Sequence, residues 1–214
     1  MKKTIRKILI YFLRFIMSLF ISKKKILLSK DLIILGRGKS LNNYFNNYKK
    51  LNKIENVLTV NFTKKDIDYK VNSLINKNII PLVNIEEPIM SLFHIIKLNI
   101  SMCFISRTLD QKEETEKKRN YKGSLYGKVN YFTGQIVKDF YDKKISGSGL
   151  LAVVYFVKIL KVKNIYLFGF DFYQQGMHNI SLIDNFKTAE SIKVHLDDGK
   201  KSKLNFENFI ENNK

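Results

Sequence analysis

The chain has 214 residues, 45% of them hydrophobic, enough to bury one full core, so a single domain with an appendage is the expected organisation. Its formal charge is +19, yet 33 of the 38 basic residues are lysine and five are arginine, which argues against a nucleic-acid reader because base readout and bidentate phosphate clamps favour arginine. One cysteine excludes an internal disulfide framework and favours a reducing compartment.

Residues 1–30 hold nine Lys or Arg and no acid. Lys3, Lys7, Tyr11, Arg14, Ser18 and Ser22 recur every three or four positions along one narrow face of an otherwise apolar segment. This predicts an amphipathic helix over 1–25 lying in a membrane interface, with Lys23 to Lys25 at the headgroups. Arg14 interrupts the apolar run from Ile8 to Ile21, which argues against a transmembrane span, and no small-residue cleavage site precedes Lys23. An uncleaved short span and a helix packed on the core or on a partner are the alternatives.

Strand-like runs follow at 31–36, 56–61, 79–84, 100–105 and 164–169, and helical stretches at 40–50, 66–77, 87–97, 148–162 and 203–212. The alternation predicts an α/β fold in residues 26–214, a Rossmann-like, mostly parallel sheet with helices on both faces. Ile165 to Phe168 suits a strand buried on both faces, and Cys103 a buried strand position. Residues 110–128, with the charge run Gln111 to Arg119, predict a mobile surface loop or lid.

Gly36-Arg37-Gly38-Lys39-Ser40 imitates the end of a Walker A loop, but that pattern requires glycine at position 33, where this chain has Ile33. A plain strand-to-helix turn and a glycine turn whose N–H groups meet a nucleotide remain, and the strand before it favours the second. Asp66-Ile67-Asp68 has the form of a D-x-D metal clamp, but its lysine-flanked helical setting predicts a solvated face. Ser148 and Gly149 open a predicted helix whose unpaired N–H groups suit a phosphate, and Asp171 and Tyr173 follow the last strand at its carboxyl end. His94 lies in an apolar stretch and reads as a packed or surface imidazole rather than a catalytic one, while His178 and His195 are the general-base candidates. The three histidines and Cys103 show no metal-ligand spacing.

The run Lys163-Asn164-Ile165-Tyr166-Leu167-Phe168-Gly169-Phe170-Asp171-Phe172-Tyr173-Gln174-Gln175-Gly176 resembles the K-x-I-Y-L-x-G-x-D-F-Y-Q-x-G stretch of bacterial sialyltransferases of glycosyltransferase family 42. Leu32 to Leu41 is similar to that family's strand followed by G-N-G-P-S-L, and Asn61 and Asn84, each ending an apolar run, agree in order and separation. The resemblance spans residues 31–176, strongly at its two ends and loosely between. It implies a GT-A-like, inverting, metal-independent transferase that moves sialic acid or a related nonulosonic acid from a CMP donor to a glycan hydroxyl, with no cofactor besides the donor substrate.

By the same resemblance, Gly36, Gly38, Ser40, Asn61, Asn84 and Asp171 surround the nucleotide and sugar, and Tyr173, Ser148 and Gly149 stabilise the phosphate. His195, after the D-F-Y loop and before the last helix, is the implied base, with His178 as competitor. Arg37 and Lys39 stand where the family carries Asn and Pro, so Arg37 becomes a candidate for the donor's phosphate or carboxylate. Lys144 replaces an expected arginine before the Ser-Gly turn and joins the catalytic candidates, and a second tyrosine is missing from His178 to Phe186. The implied partners are the donor, a glycan or glycolipid acceptor of lipooligosaccharide or capsule, and an anionic membrane at the cytoplasmic face of the inner membrane. Nucleic acid is not among them, and a homo-oligomer is compatible with the sequence. The rival readings are a transferase for pseudaminic acid or Kdo, a pterin pyrophosphokinase-like enzyme needing Mg²⁺ and ATP, and a non-catalytic glycan-assembly protein.

Overall fold

The computed structural model describes residues 31–62, 66–67, 71–83, 98–100, 102–108, 111–112, 128–142, 145, 147–172 and 189–213. Apolar runs suit strands covered on both faces, and β1 (Leu32–Leu35), apolar throughout, and β2 (Asn56–Val60), where Asn56 and Thr59 are the polar members, are buried at every position. The sheet continues with β3 (Asn78–Val83), β4 (Asn99–Ile100), β5 (Met102–Thr108), β6 (Lys128–Phe132) and β7 (Ile165–Phe168). Its order is β6-β5-β3-β2-β1-β7, with β4 also on β3, and every pairing among the described residues is parallel. The helices are α1 (Leu41–Asn47), α2 (Gly134–Asp142), α3 (Ser148–Lys158) and α4 (Ala189–Glu211), with 3₁₀ turns at Tyr48–Leu51 and Val71–Ser73.

Period-two alternation divides the core. Leu32, Ile34, Leu58, Val60, Ile80 and Leu82 face one layer, where Ile136 and Phe140 of α2, most of α3, and Phe206 and Phe209 of α4 pack. Ile33, Leu35, Val57, Ile79, Cys103 and Ile105 face the other, against Leu41, Tyr44 and Phe45 of α1 and against Ile67 and Leu74. Helices therefore cover both faces, the α/β architecture expected. The buried set from Gly149 to Val154 plus Phe156 leaves α3 without a polar face, as a central helix requires.

Several expectations change. The helix predicted over 66–77 survives in the described residues as Asp66 and Ile67 alone, followed by the Val71–Ser73 turn. Asn76 adopts a left-handed φ of 67° and swings the chain into β3, so a continuous helix could not reach residue 77. The C-terminal helix begins at Ala189 rather than 203, which puts His195 inside a helix and not in a loop before it. Asp197-Asp198-Gly199 reads locally as a stop, but Gly199 is buried and the burial of Ser202, Phe206 and Phe209 offsets its cost of about 1 kcal/mol. β7 is not buried on both faces: Ile165, Leu167 and Phe168 are partly buried and Tyr166 is 36% exposed, and among the described residues β1 is its one strand neighbour. β6 and α2 are not among the expected elements, although Ile136, Val137 and Phe140 carry a helical apolar spacing. The predicted membrane helix, the 87–97 helix and most of the 110–128 loop lie outside the described residues. Among those described, no helix is long and apolar enough to cross a membrane.

Candidate functional site

The chain adds β2, β3, β5 and β6 on one side of β1 and then returns to lay β7 on the other. The carboxyl ends of β1 and β7 therefore flank the point where strand order reverses, the place where open α/β sheets hold ligands. Two loops meet there. Gly36 N–H donates to Phe168 O at 2.7 Å and Gly38 N–H to Gly169 O at 2.9 Å. Ser40 N–H donates to Asp171 Oδ2 at 2.8 Å, and the Ser40 hydroxyl donates to Asp171 Oδ1 while accepting Gly169 N–H at 3.0 Å.

These bonds explain the residue types. A Cβ on Gly36 would stand 2.4 Å from Gly169 O, and one on Gly38 would stand 2.7 Å from the Asp171 carboxyl. Ser40 is the N-cap residue of α1 but makes no side-chain cap bond, because its hydroxyl is engaged by Asp171. Gly149 is small for a similar reason: the Phe170 ring would be 2.8 Å from its Cβ and 3.3 Å from that of Gly36. Phe170, absent from the sequence candidates, thus fills the space between the β1 turn and the start of α3. The small residues at 36 and 149 were the signal for such a close approach. The N–H groups of Gly36, Gly38 and Ser40 are accordingly taken by protein acceptors, which makes the turn a shaped wall.

Other groups stand near the same carboxyl ends of the strands, which bound the switch-point crevice. Asn61, just past β2, holds a left-handed φ of 52° and donates its N–H to Leu82 O at 2.8 Å, while its Oδ1 is buried with no hydrogen-bond partner among the described residues. A buried acceptor without a donor costs about 1–3 kcal/mol, a cost that an N–H or O–H from water or a ligand would offset. Thr59 Oγ1, under the end of β2, and Ser106 Oγ, at the irregularity in the β5–β6 register, are buried in the same way. Arg37 Nε lies 3.5 Å from Asp66 Oδ2, the two side chains being 14% and 8% exposed. Asp66 is thus buried beside a guanidinium, contrary to the solvated face expected of it, and no local sequence pattern signals a pair formed between two different loops. Ser148 opens α3 behind Gly147, whose φ of 107° starts the helix without a side-chain cap.

The structure thus brings Gly36, Arg37, Gly38, Ser40, Asn61, Ser148, Gly149 and Asp171 to one edge of the sheet. Asn84, Lys144 and Tyr173 lie outside the described residues, as do His94 and His178, and for His195 the structure describes the helical backbone. Among the described residues no group of three His, Cys, Asp or Glu could hold a metal ion.

Fold and crevice define an open, parallel α/β protein with a polar switch-point site. No family model, curated protein or solved structure matches the chain.

Proposed function

We propose that this protein is a GT-A-like, inverting, metal-independent glycosyltransferase that moves sialic acid or a related nonulosonic acid from a CMP donor to a surface-glycan hydroxyl, peripherally bound at the cytoplasmic face of the inner membrane. One observation carries the reading. The two stretches that resemble one transferase family, Gly36 to Ser40 and Gly169 to Asp171, are hydrogen-bonded to each other at the switch point although 131 positions separate Ser40 from Asp171.

Departure of CMP leaves negative charge on phosphate and positive character on the sugar, so the site needs donors at the leaving group and a base at the incoming hydroxyl. Arg37 and the α3 start at Ser148 supply the first in this reading, Asn61 Oδ1 accepts from the nucleotide or sugar, and Tyr173 and His195 take their roles from the resemblance. Asp171 acts as a staple that sets the turn. Calorimetric titration with CMP, UMP, GDP and ATP, with and without EDTA, tests this: CMP should bind best and EDTA should change nothing. ATP preference with a strict Mg²⁺ requirement would refute it.

A second reading, a non-catalytic glycan-assembly protein on the same fold, draws on the occupation of the three turn N–H groups by protein acceptors. It predicts no hydrolysis of any CMP-sugar even at high protein concentration.

A further inference from the structure

The edge of the sheet opposite the crevice is where the described fold joins residues 1–30, since Asp31 leads directly into β1. The described strands, all parallel, begin at this edge, and α3 and the 3₁₀ turn after α1 end there. Lys49, Lys50 and Lys53 stand exposed before β2, and Lys158, Lys161 and Lys163 before β7. Ile159, 48% exposed, lies within the second group.

Both loops are held in place. The buried Lys77 ammonium donates to the carbonyl oxygens of Leu51, Asn52 and Ile54 at 3.0, 3.0 and 2.7 Å, fixing the loop that carries the first three lysines. Leu32 N–H donates to Asn164 O at 2.9 Å and Asn164 Nδ2 to Asp31 Oδ1 at 2.8 Å, fixing the second.

Lysines at helix C-termini commonly offset the helix dipole, so that effect must be weighed first. Each helix end carries roughly half a negative charge, and three ends lie here, because the 5.8 Å approach of Lys158 Nζ to the Phe209 ring brings the last turns of α4 beside α3. With Asp31, Glu55 and Glu211 added, six lysines still leave the edge positive, next to a preceding segment that has nine basic residues and no acid.

We propose that this amino edge docks on an anionic lipid bilayer, with Ile159 entering the headgroup layer and the crevice facing away. The inference rests on the membrane association proposed above and extends the contact from residues 1–25 to the folded domain. Lysine and an exposed aliphatic side chain fit anionic lipid better than nucleic acid, which favours arginine and aromatic stacking. Four residues of β1 span about 13 Å, so the crevice opens at least that far above the headgroups and the acceptor hydroxyl belongs to the distal part of a glycan.

The test uses the full chain with vesicles of phosphatidylcholine alone or with about one-third phosphatidylserine, an anionic surface of cytoplasmic-leaflet type. Amides of residues 49–54 and 159–164 should gain exchange protection on anionic vesicles. Changing Lys49, Lys50, Lys53, Lys161 and Lys163 together to Gln should lower binding to anionic vesicles at least about tenfold, with phosphatidylcholine binding and CMP affinity unchanged. If that variant fails to fold, Ile159→Glu carries the test with the same expected direction. Undiminished binding with protection confined to residues before 31 would overturn the docking edge while leaving membrane association intact. Absence of any binding by the full chain would overturn both, and protection of the same edge by a single-stranded oligonucleotide without vesicle preference would replace lipid by nucleic acid.

Discussion

Gly36→Ala isolates the contact on which the crevice depends. The added Cβ would sit 2.4 Å from Gly169 O and 3.1 Å from its carbonyl carbon, whereas a carbon-to-oxygen contact of about 3.3 Å is the ordinary close approach. The two loops must therefore part by nearly 1 Å, along the direction in which the 2.7 Å Gly36–Phe168 and 2.9 Å Gly38–Gly169 bonds hold them. Two backbone hydrogen bonds at about 1 kcal/mol each, plus overpacking of about 1–3 kcal/mol, predict a loss of about 3–5 kcal/mol, a large part of a domain's stability. Gly147→Ala is the internal control. Its φ of 107° strains any side chain, yet nothing among the described residues lies within 4 Å of the added atom, so about 1–2 kcal/mol is expected. Urea denaturation of both variants, followed by far-ultraviolet dichroism, reads the difference directly. A loss for Gly36→Ala below about 0.5 kcal/mol, or no larger than that of Gly147→Ala, would refute the claim that the loops are in rigid contact.

Lys77→Met should cost about 2–4 kcal/mol in the same assay, because three carbonyl oxygens lose a shared charged donor, with water recovering part of the loss at the half-exposed Leu51. Burial, then the neighbouring Tyr48, raises the Tyr44 phenol above the usual tyrosine range, against a smaller lowering effect from a hydrogen bond with the Ser73 side chain. Its stability contribution is thus fully present below the unfolded-state value near 10 and is lost as pH rises above it; alkaline melts of the wild type should fall more steeply there than those of Tyr44→Phe, and parallel curves would contradict this. If His195 is the base, His195→Ala should lower transfer by about 10²- to 10⁴-fold with donor affinity kept, while Tyr173→Phe should also slow acceptor-free donor hydrolysis; unchanged transfer in His195→Ala with loss in His178→Ala would move the base to His178.

What the sequence alone determined is local. Apolar runs such as Leu32–Leu35 and residues 79–83 are strands because an extended segment covered on both faces needs side chains that bury in both directions, and that property is written in consecutive residues. The turn glycines and the small pair at Ser148-Gly149 were legible for the same reason, as places where something comes close to the backbone. What comes close was not legible: Gly36 meets Gly169, and Gly149 meets Phe170, rather than leaving open backbone for a ligand. Strand order decided the remainder. Laying β7 beside β1 joined Ser40 to Asp171, left Tyr166 at the sheet's edge, and set the crevice and the lysine-rich loops at opposite ends of the same strands. The burial of Asp66 beside Arg37 and the run of α4 through Gly199 likewise depend on surfaces supplied from elsewhere in the chain. Periodicity records which way a residue faces along its own element, whereas pairing across 131 positions is set by how all the elements can bury their faces together, and only the tertiary structure holds that information.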